Sequence, residues 1–280
     1  MQAYCPLLDR TTAVTSTPYR RGDWAVVRCE ETDFVFLANP PDYSRLESEF
    51  AWEKTFLAER ARREQEEPIA KRVSAFAKRL KLRWNPKRNK IARLADDFLR
   101  RRSATDIPTV LDIGCGGGGL LVHVSEEARQ RNQSIVPIGI EVSRQLALDT
   151  EARLQRFDGR VIQANAVDGV GSLPAASVDL VLMSSFLEHE CQPFVLLQRL
   201  RNALRPGAAV ILKVPNFDCW NRRIRHKRWS GFRYPDHVNY FTPATLRLLA
   251  DQTGMHVAQQ RLRDRSPLSD NMYAVLKRAA

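Results

Sequence analysis

The residues of this 280-residue chain whose types and spacing could do chemistry begin at Asp112, which is followed by Ile113 and then the cluster Gly114-Cys-Gly-Gly-Gly-Gly119. A turn with almost no Cβ atoms lets a ligand lie against bare backbone, so the cluster calls for a bound cofactor. Glu141 closes the next apolar run, Ile135-Val-Pro-Ile-Gly-Ile140. In nucleotide-binding α/β folds that is where an acid meets the two hydroxyls of a ribose.

Two cofactors fit the turn. Gly114-x-Gly116-x-x-Gly119 satisfies the dinucleotide fingerprint, and Glu141 lies 22 residues past Gly119, near the roughly 20 of NAD sites. The same residues read as Asp112-x-Gly114-x-Gly116-x-Gly118, the pattern of S-adenosylmethionine sites. The glycines alone leave both open.

The elements that must position these residues alternate. Val110 to Ile113 and Ile135 to Ile140 read as buried parallel strands, with a helix from Gly119 to Gln130 whose first amides and dipole face the turn. A helix through Leu146, Leu148 and Leu154 follows. Further strands are expected at Arg160–Gln163, Ser177–Met183, Ala208–Val214 and Met272–Lys277, and a helix at Phe194–Ala203. Thr242 and Pro243 cap another helix that ends at Gly254. Strands alternating with helices of this size predict a parallel sheet with helices on both faces. Before them, Trp24–Arg28 and Phe34–Leu37 predict a small hairpin, and Ser44 to Glu67 is charged and helical in composition. Ile69, Val73, Phe76 and Leu80 then fall on one helical face among basic residues. We divide the chain into a β-hairpin unit (1–43), a basic helical extension or lid (44–104) and an α/β domain (105–280).

Composition narrows the partners. Lys and Arg number 44 against 32 Asp and Glu, a net charge of +12, and residues 70–102 alone hold 13 bases and 2 acids. Such charge favours anionic partners and says nothing of fold. Five scattered cysteines argue against a disulfide framework and for a reducing compartment. No apolar run reaches the roughly 18 residues of a membrane span, and the first residues lack a signal-peptide pattern, so we expect a cytoplasmic protein.

Val110-Leu-Asp-Ile-Gly-Cys-Gly-Gly-Gly118, Gly139-Ile-Glu141, Val178 to His189 and Leu204-Arg-Pro-Gly207, in that order, resemble class I S-adenosylmethionine-dependent methyltransferases. Leu187-Glu-His189, Val214-Pro-Asn216 and Pro235-Asp-His-Val-Asn-Tyr-Phe-Thr-Pro243 resemble the small-molecule branch of that superfamily. The resemblance implies a Rossmann-like seven-stranded sheet with its last strand antiparallel. It implies S-adenosyl-L-methionine held by Gly114, Gly116 and Gly118 with Asp112 beneath, its ribose on Glu141, its adenine facing Asn165 and Ala166, and Ser184 near the methionine end. It also places His189 and His237 at the methyl-transfer face as catalytic candidates, with Asp236 and Tyr240 in support. The amino-terminal unit is similar to a Cys-x-x-Cys zinc ribbon in which only Cys5 and Cys29 remain, while Leu8 and Thr32 hold the second positions. Two thiolates fall short of a four-ligand structural site, so no metal is expected.

Methyl transfer from a sulfonium is a displacement with the leaving group already activated, so catalysis rests mainly on holding the acceptor in line. A neutral hydroxyl acceptor also needs a base. The function expected is O-methylation of a small molecule such as a sugar, quinol or specialised metabolite. The alternatives are methylation of RNA or another nucleic acid gripped by the basic 70–102 segment, and a non-catalytic module that only binds the cofactor.

Overall fold

The computed structural model describes residues 1–41, 89–102 and 107–279. The helical stretches expected over 44–67 and 69–80, and with them most of the basic 70–102 segment, lie outside the described residues.

The centre of the molecule is β5, Thr109–Ile113, whose run of Val110, Leu111 and Ile113 is apolar on both faces. Such a run suits a parallel strand covered on two sides. The chain leaves it through α2 (Gly119–Gln130) to β6 (Val136–Glu141), then through α3 (Arg144–Leu154) to β7 (Arg160–Gln163). After α4 (Ala166–Gly171) it returns to the other flank of β5 as β8 (Val178–Ser184), followed by α5 (Pro193–Ala203) and β9 (Leu204–Pro215). With β12 (Asn271–Arg278) and β11 (Met255–Gln259) beyond β9, the strand order β7-β6-β5-β8-β9-β12-β11 reverses beside β5, and a crevice opens there at the carboxyl ends of the strands. α7 (Pro243–Gln252) leads into β11 (Met255–Gln259), and β12 (Asn271–Arg278) inserts antiparallel between β11 and β9.

Side-chain alternation along the strands sorts the core into two layers. Leu111, Ile113, Val181, Met183, Val210 and Leu212 face one way and pack with Val167 and Val170 of α4, Leu196 to Leu200 of α5 and Leu246 and Leu249 of α7. Val110, Leu180, Leu182, Ala209 and Ile211 face the other way, against α2 and α1 (Lys90–Leu99), whose Ile91, Ala95 and Leu99 are fully buried. At the amino end of β8, the Asp179 carboxylate is wholly buried. It accepts from the Thr109 amide (2.9 Å) and pairs with Arg205 (2.5 Å) and Arg102.

The amino-terminal unit is larger than the expected hairpin. β1 (Gln2–Cys5), β2 (Arg10–Arg21), β3 (Trp24–Cys29) and β4 (Val35–Leu37) form an antiparallel sheet, and its fifth strand is β10, Asn239–Tyr240, from near the other end of the chain. The two-residue β10 has no periodicity to announce it. Cys5 and Cys29 each begin a tight turn, closed by Leu8 N–H to Cys5 O (3.1 Å) and Asp33 N–H to Cys29 O (3.0 Å). Both thiols are buried with Leu7, Phe34 and Phe36 in the same core as the large sheet. The fifth strand of that large sheet also starts earlier than expected, at Leu204 rather than Ala208: Leu204 pairs with Val178, and the ladder resumes at Leu180 and Ala209 after a bulge in which Gly207 takes φ +78°.

Candidate active site

The glycine turn sits on the crevice. The amides of Gly114 and Cys115 both donate to the Ile140 carbonyl, which ties the turn to the end of β6. Gly114 (φ +65°) has the Phe186 ring over it, 2.3 Å from where a Cβ would stand. Gly116 (φ +52°) faces open space instead, so its bare backbone forms a wall of the crevice. The Glu141 carboxylate accepts from the Gly116 amide (2.8 Å) and the Ser143 amide (3.0 Å) and so stands at the head of α3.

From here a single cavity of about 540 Å³ runs across the ends of β6, β7 and β8, a volume in the range of cofactor sites. Gly114, Gly116, Glu141, Asn165, Ala166, Ser184 and His189 all line it, seven of the ten residues expected to form the site. Ile140, Leu146, Ala164 and Ala166 give it apolar walls, as a purine ring requires. Asn165 carries a second duty as N-cap of α4, its Oδ1 accepting from the Asp168 amide at 2.9 Å. Bare backbone at Gly116, a carboxylate at Glu141 and apolar walls between them match the parts of S-adenosylmethionine.

Three expected residues lie off the wall. Gly118 (φ +72°) is the N-cap of α2, packed against the Thr150 side chain. Asp112 is buried beneath the turn, where desolvation and the nearby Glu141 charge push its carboxyl up to about 8. His237 is buried behind His189, the two rings edge to face with centroids 4.7 Å apart. Tyr240, offered as a supporting group, instead packs in a cluster with Phe217 and Phe232.

At the far end of the cavity two separate stretches are stitched into one wall. The Glu188 carbonyl accepts from the amides of Val238 and Asn239 (2.8 and 3.0 Å), and the buried Asn239 side chain donates to the carbonyls of Leu187 and Glu190 (3.0 and 2.6 Å). His189 Nδ1 bonds to the Asp236 carbonyl at 2.8 Å. A carbonyl only accepts, so Nδ1 carries the proton and the neutral ring keeps a lone pair on Nε2. Burial first, then the Arg233 charge, hold this imidazole down at about 4, so it is neutral at physiological pH. Arg233 also lines the cavity, bonds through Nη2 to Asp236 (2.9 Å), and keeps a buried Nε that has no hydrogen-bond partner among the described residues. Arg233, Glu190 and Asn239 escape a sequence reading: an arginine in a basic stretch and an asparagine beside an aromatic carry no spacing signal of their own.

Glu188, His189 and His237 bring ligating atoms within 4.8 Å of one another, a donor set that could hold a metal ion. The charges of Lys213 and Arg233 already bear on Glu188, which opposes a further cation there. Burial outweighs both of them and raises the Glu188 carboxyl to about 8.

A family model described as a methyltransferase domain matches residues 62–260. A ubiquinone biosynthesis O-methyltransferase of Idiomarina loihiensis is 28% identical over 136 residues, 48% of this chain and 51% of that protein. A trans-aconitate 2-methyltransferase of Azoarcus is 29% identical over 136 residues, 47% of this chain and 49% of the other. The chain thus spans about half the length of the curated relatives it matches. Among solved structures, an S-adenosylmethionine-dependent methyltransferase from Clostridium acetobutylicum superposes with a TM-score of 0.54 over 74% of this chain and 99% of its own, at 9% identity.

Proposed function

Because this chain belongs to the class I S-adenosylmethionine-dependent methyltransferases, we propose that it methylates an oxygen of a small molecule held between the cofactor and His189. The observation that carries this reading is the neutral His189 in the wall of the same cavity that holds Gly116 and Glu141. Both curated relatives named above carry small-molecule methyltransferase names, one of them an O-methyltransferase.

The bound cofactor supplies a methyl group on a sulfonium, already activated for displacement. Glu141 binds the ribose, the Gly114–Gly116 backbone accommodates the methionine portion, and Ala166 and Asn165 flank the adenine. His189 Nε2 accepts a hydrogen bond from the acceptor hydroxyl and so turns an oxygen lone pair toward the methyl. Once the oxygen takes the methyl, with the C–S electron pair leaving on the thioether sulfur, the hydroxyl would be strongly acidic and His189 Nε2 would take its proton, for which a weak base suffices. His237 acts through His189, fixing its ring edge-on. Arg233, whose side chain lines the same cavity, supplies a positive charge toward a second oxygen of the acceptor.

Calorimetric titration with S-adenosylhomocysteine and separately with NAD, followed by labelled methyl transfer to hydroxylated metabolites and to RNA, tests the reading. Binding of S-adenosylhomocysteine alone, and label on a hydroxylated small molecule, are expected. Label on RNA and on no small molecule would sink it. His189→Ala should lower turnover by roughly 10²–10⁴-fold while leaving S-adenosylhomocysteine affinity within a few-fold.

A further inference from the structure

The 216–240 segment that furnishes Arg233 and Asp236 also builds a surface of a different kind. α6, Trp220–Arg225, carries Trp220 and Ile224 four residues apart, on one side of the helix, and they are 53% and 77% exposed. The Trp220 amide donates to the Pro267 carbonyl at 2.8 Å, so Leu268, 77% exposed, stands beside the start of this helix. Asn221 and Trp229 both donate to the Asp270 carboxylate, at 2.9 Å each, and lock the two segments together. Three large exposed apolar side chains thereby come from two stretches held side by side, and grouped apolar residues in water mark an interaction site where single ones do not. Lys227 and Arg228 follow the helix directly and Arg265 precedes the 266–270 turn, all three exposed. The acids nearby are engaged: Asp218 with Arg223, and Asp270 as described.

We propose that this patch docks the protein on an anionic lipid bilayer, with Trp220, Ile224 and Leu268 entering the interfacial layer and the cations meeting headgroup phosphates. Aromatic and aliphatic side chains rimmed by Lys and Arg are the composition that binds such an interface, by apolar burial and electrostatic attraction together. A nucleic acid would complement the cations but leave Ile224 and Leu268 in water, since neither stacks on a base nor hydrogen-bonds.

Sedimentation of the full chain with vesicles tests this, comparing pure phosphatidylcholine with phosphatidylcholine–phosphatidylglycerol at low salt. The protein should pellet with the anionic vesicles and be released by salt. The double variants Trp220→Ser/Ile224→Ser and Lys227→Glu/Arg228→Glu should each cut the bound fraction about tenfold and still bind S-adenosylhomocysteine, which reports their folding. Tryptophan emission should shift to the blue on anionic vesicles, and Trp220→Phe should keep binding but lose most of that shift. Failure of the wild-type protein to pellet with anionic vesicles, undiminished pelleting of both double variants, or binding to single-stranded RNA without binding to vesicles would each overturn the proposal.

Discussion

Gly116 is the glycine at which an added side chain would enter the crevice. Its φ of +52° is one that a side chain strains, and the direction a Cβ would take is empty. Gly116→Ala should therefore weaken S-adenosylhomocysteine binding by more than about a hundredfold, measured by calorimetry. It should cost only about 1–2 kcal/mol of stability, the usual penalty of a left-handed residue. Glu188 gives a prediction of a different sort. Its carboxyl ionises near pH 8 in the folded chain against an ordinary value of 4.5, so the native state holds the proton to higher pH than the unfolded state. The stability this supplies is complete below about pH 4.5 and is lost as the pH rises through 8. Glu188→Gln, neutral throughout, should flatten the fall in melting temperature on the alkaline side, with Asp112 responsible for what slope remains. An unchanged slope in Glu188→Gln would mean that Glu188 is already ionised in the native protein.

Among the elements, the turn after β8 and the loop before α7 act as one piece because Asn239 bridges them. Removing its amide in Asn239→Ala takes a donor from the carbonyls of Leu187 and Glu190; Leu187 keeps the Glu190 amide at 3.4 Å, so the cost of about 1–3 kcal/mol falls mainly on the Glu190 carbonyl. It should also loosen His189, so turnover should fall more than cofactor affinity; equal losses would mean the bridge only stabilises. On the opposite rim, Asp179 joins β8 to Arg102, Arg205 and the first amide of β5. Asp179→Ala breaks a buried charge network and should destabilise the protein by about 3 kcal/mol, read by chemical denaturation, with S-adenosylhomocysteine affinity of the folded fraction unchanged.

At the scale of the whole molecule, the two sheets stand or fall together. Cys5, Leu7, Phe34 and Phe36 share a core with the large sheet, and β4 pairs with β10. A chain beginning at residue 42 would expose that core and orphan β10. We expect it to lose cooperative melting and cofactor binding, whereas an independent amino-terminal unit would leave both intact.

Much of this was legible in order along the chain. The glycine turn, the acid that ends β6 and the alternation of β-branched runs with helical spacings are local signals, each set by backbone sterics or by which face a side chain must bury. They specify the α/β class and carry the family resemblance, though the glycines alone fit two cofactors and only the later blocks separate them. What remained hidden depends on meetings between residues far apart: β10 completing the amino-terminal sheet, β11 as a weakly patterned edge strand, and Arg233 arriving beside His189. The roles of the two histidines show the reason most plainly. In sequence His189 and His237 are each a titratable ring in a motif; only packing decides that one lines the cavity while the other is buried behind it. Burial and hydrogen-bond direction are properties of the surroundings, and for His189 the carbonyl that fixes its proton lies 47 positions away along the chain.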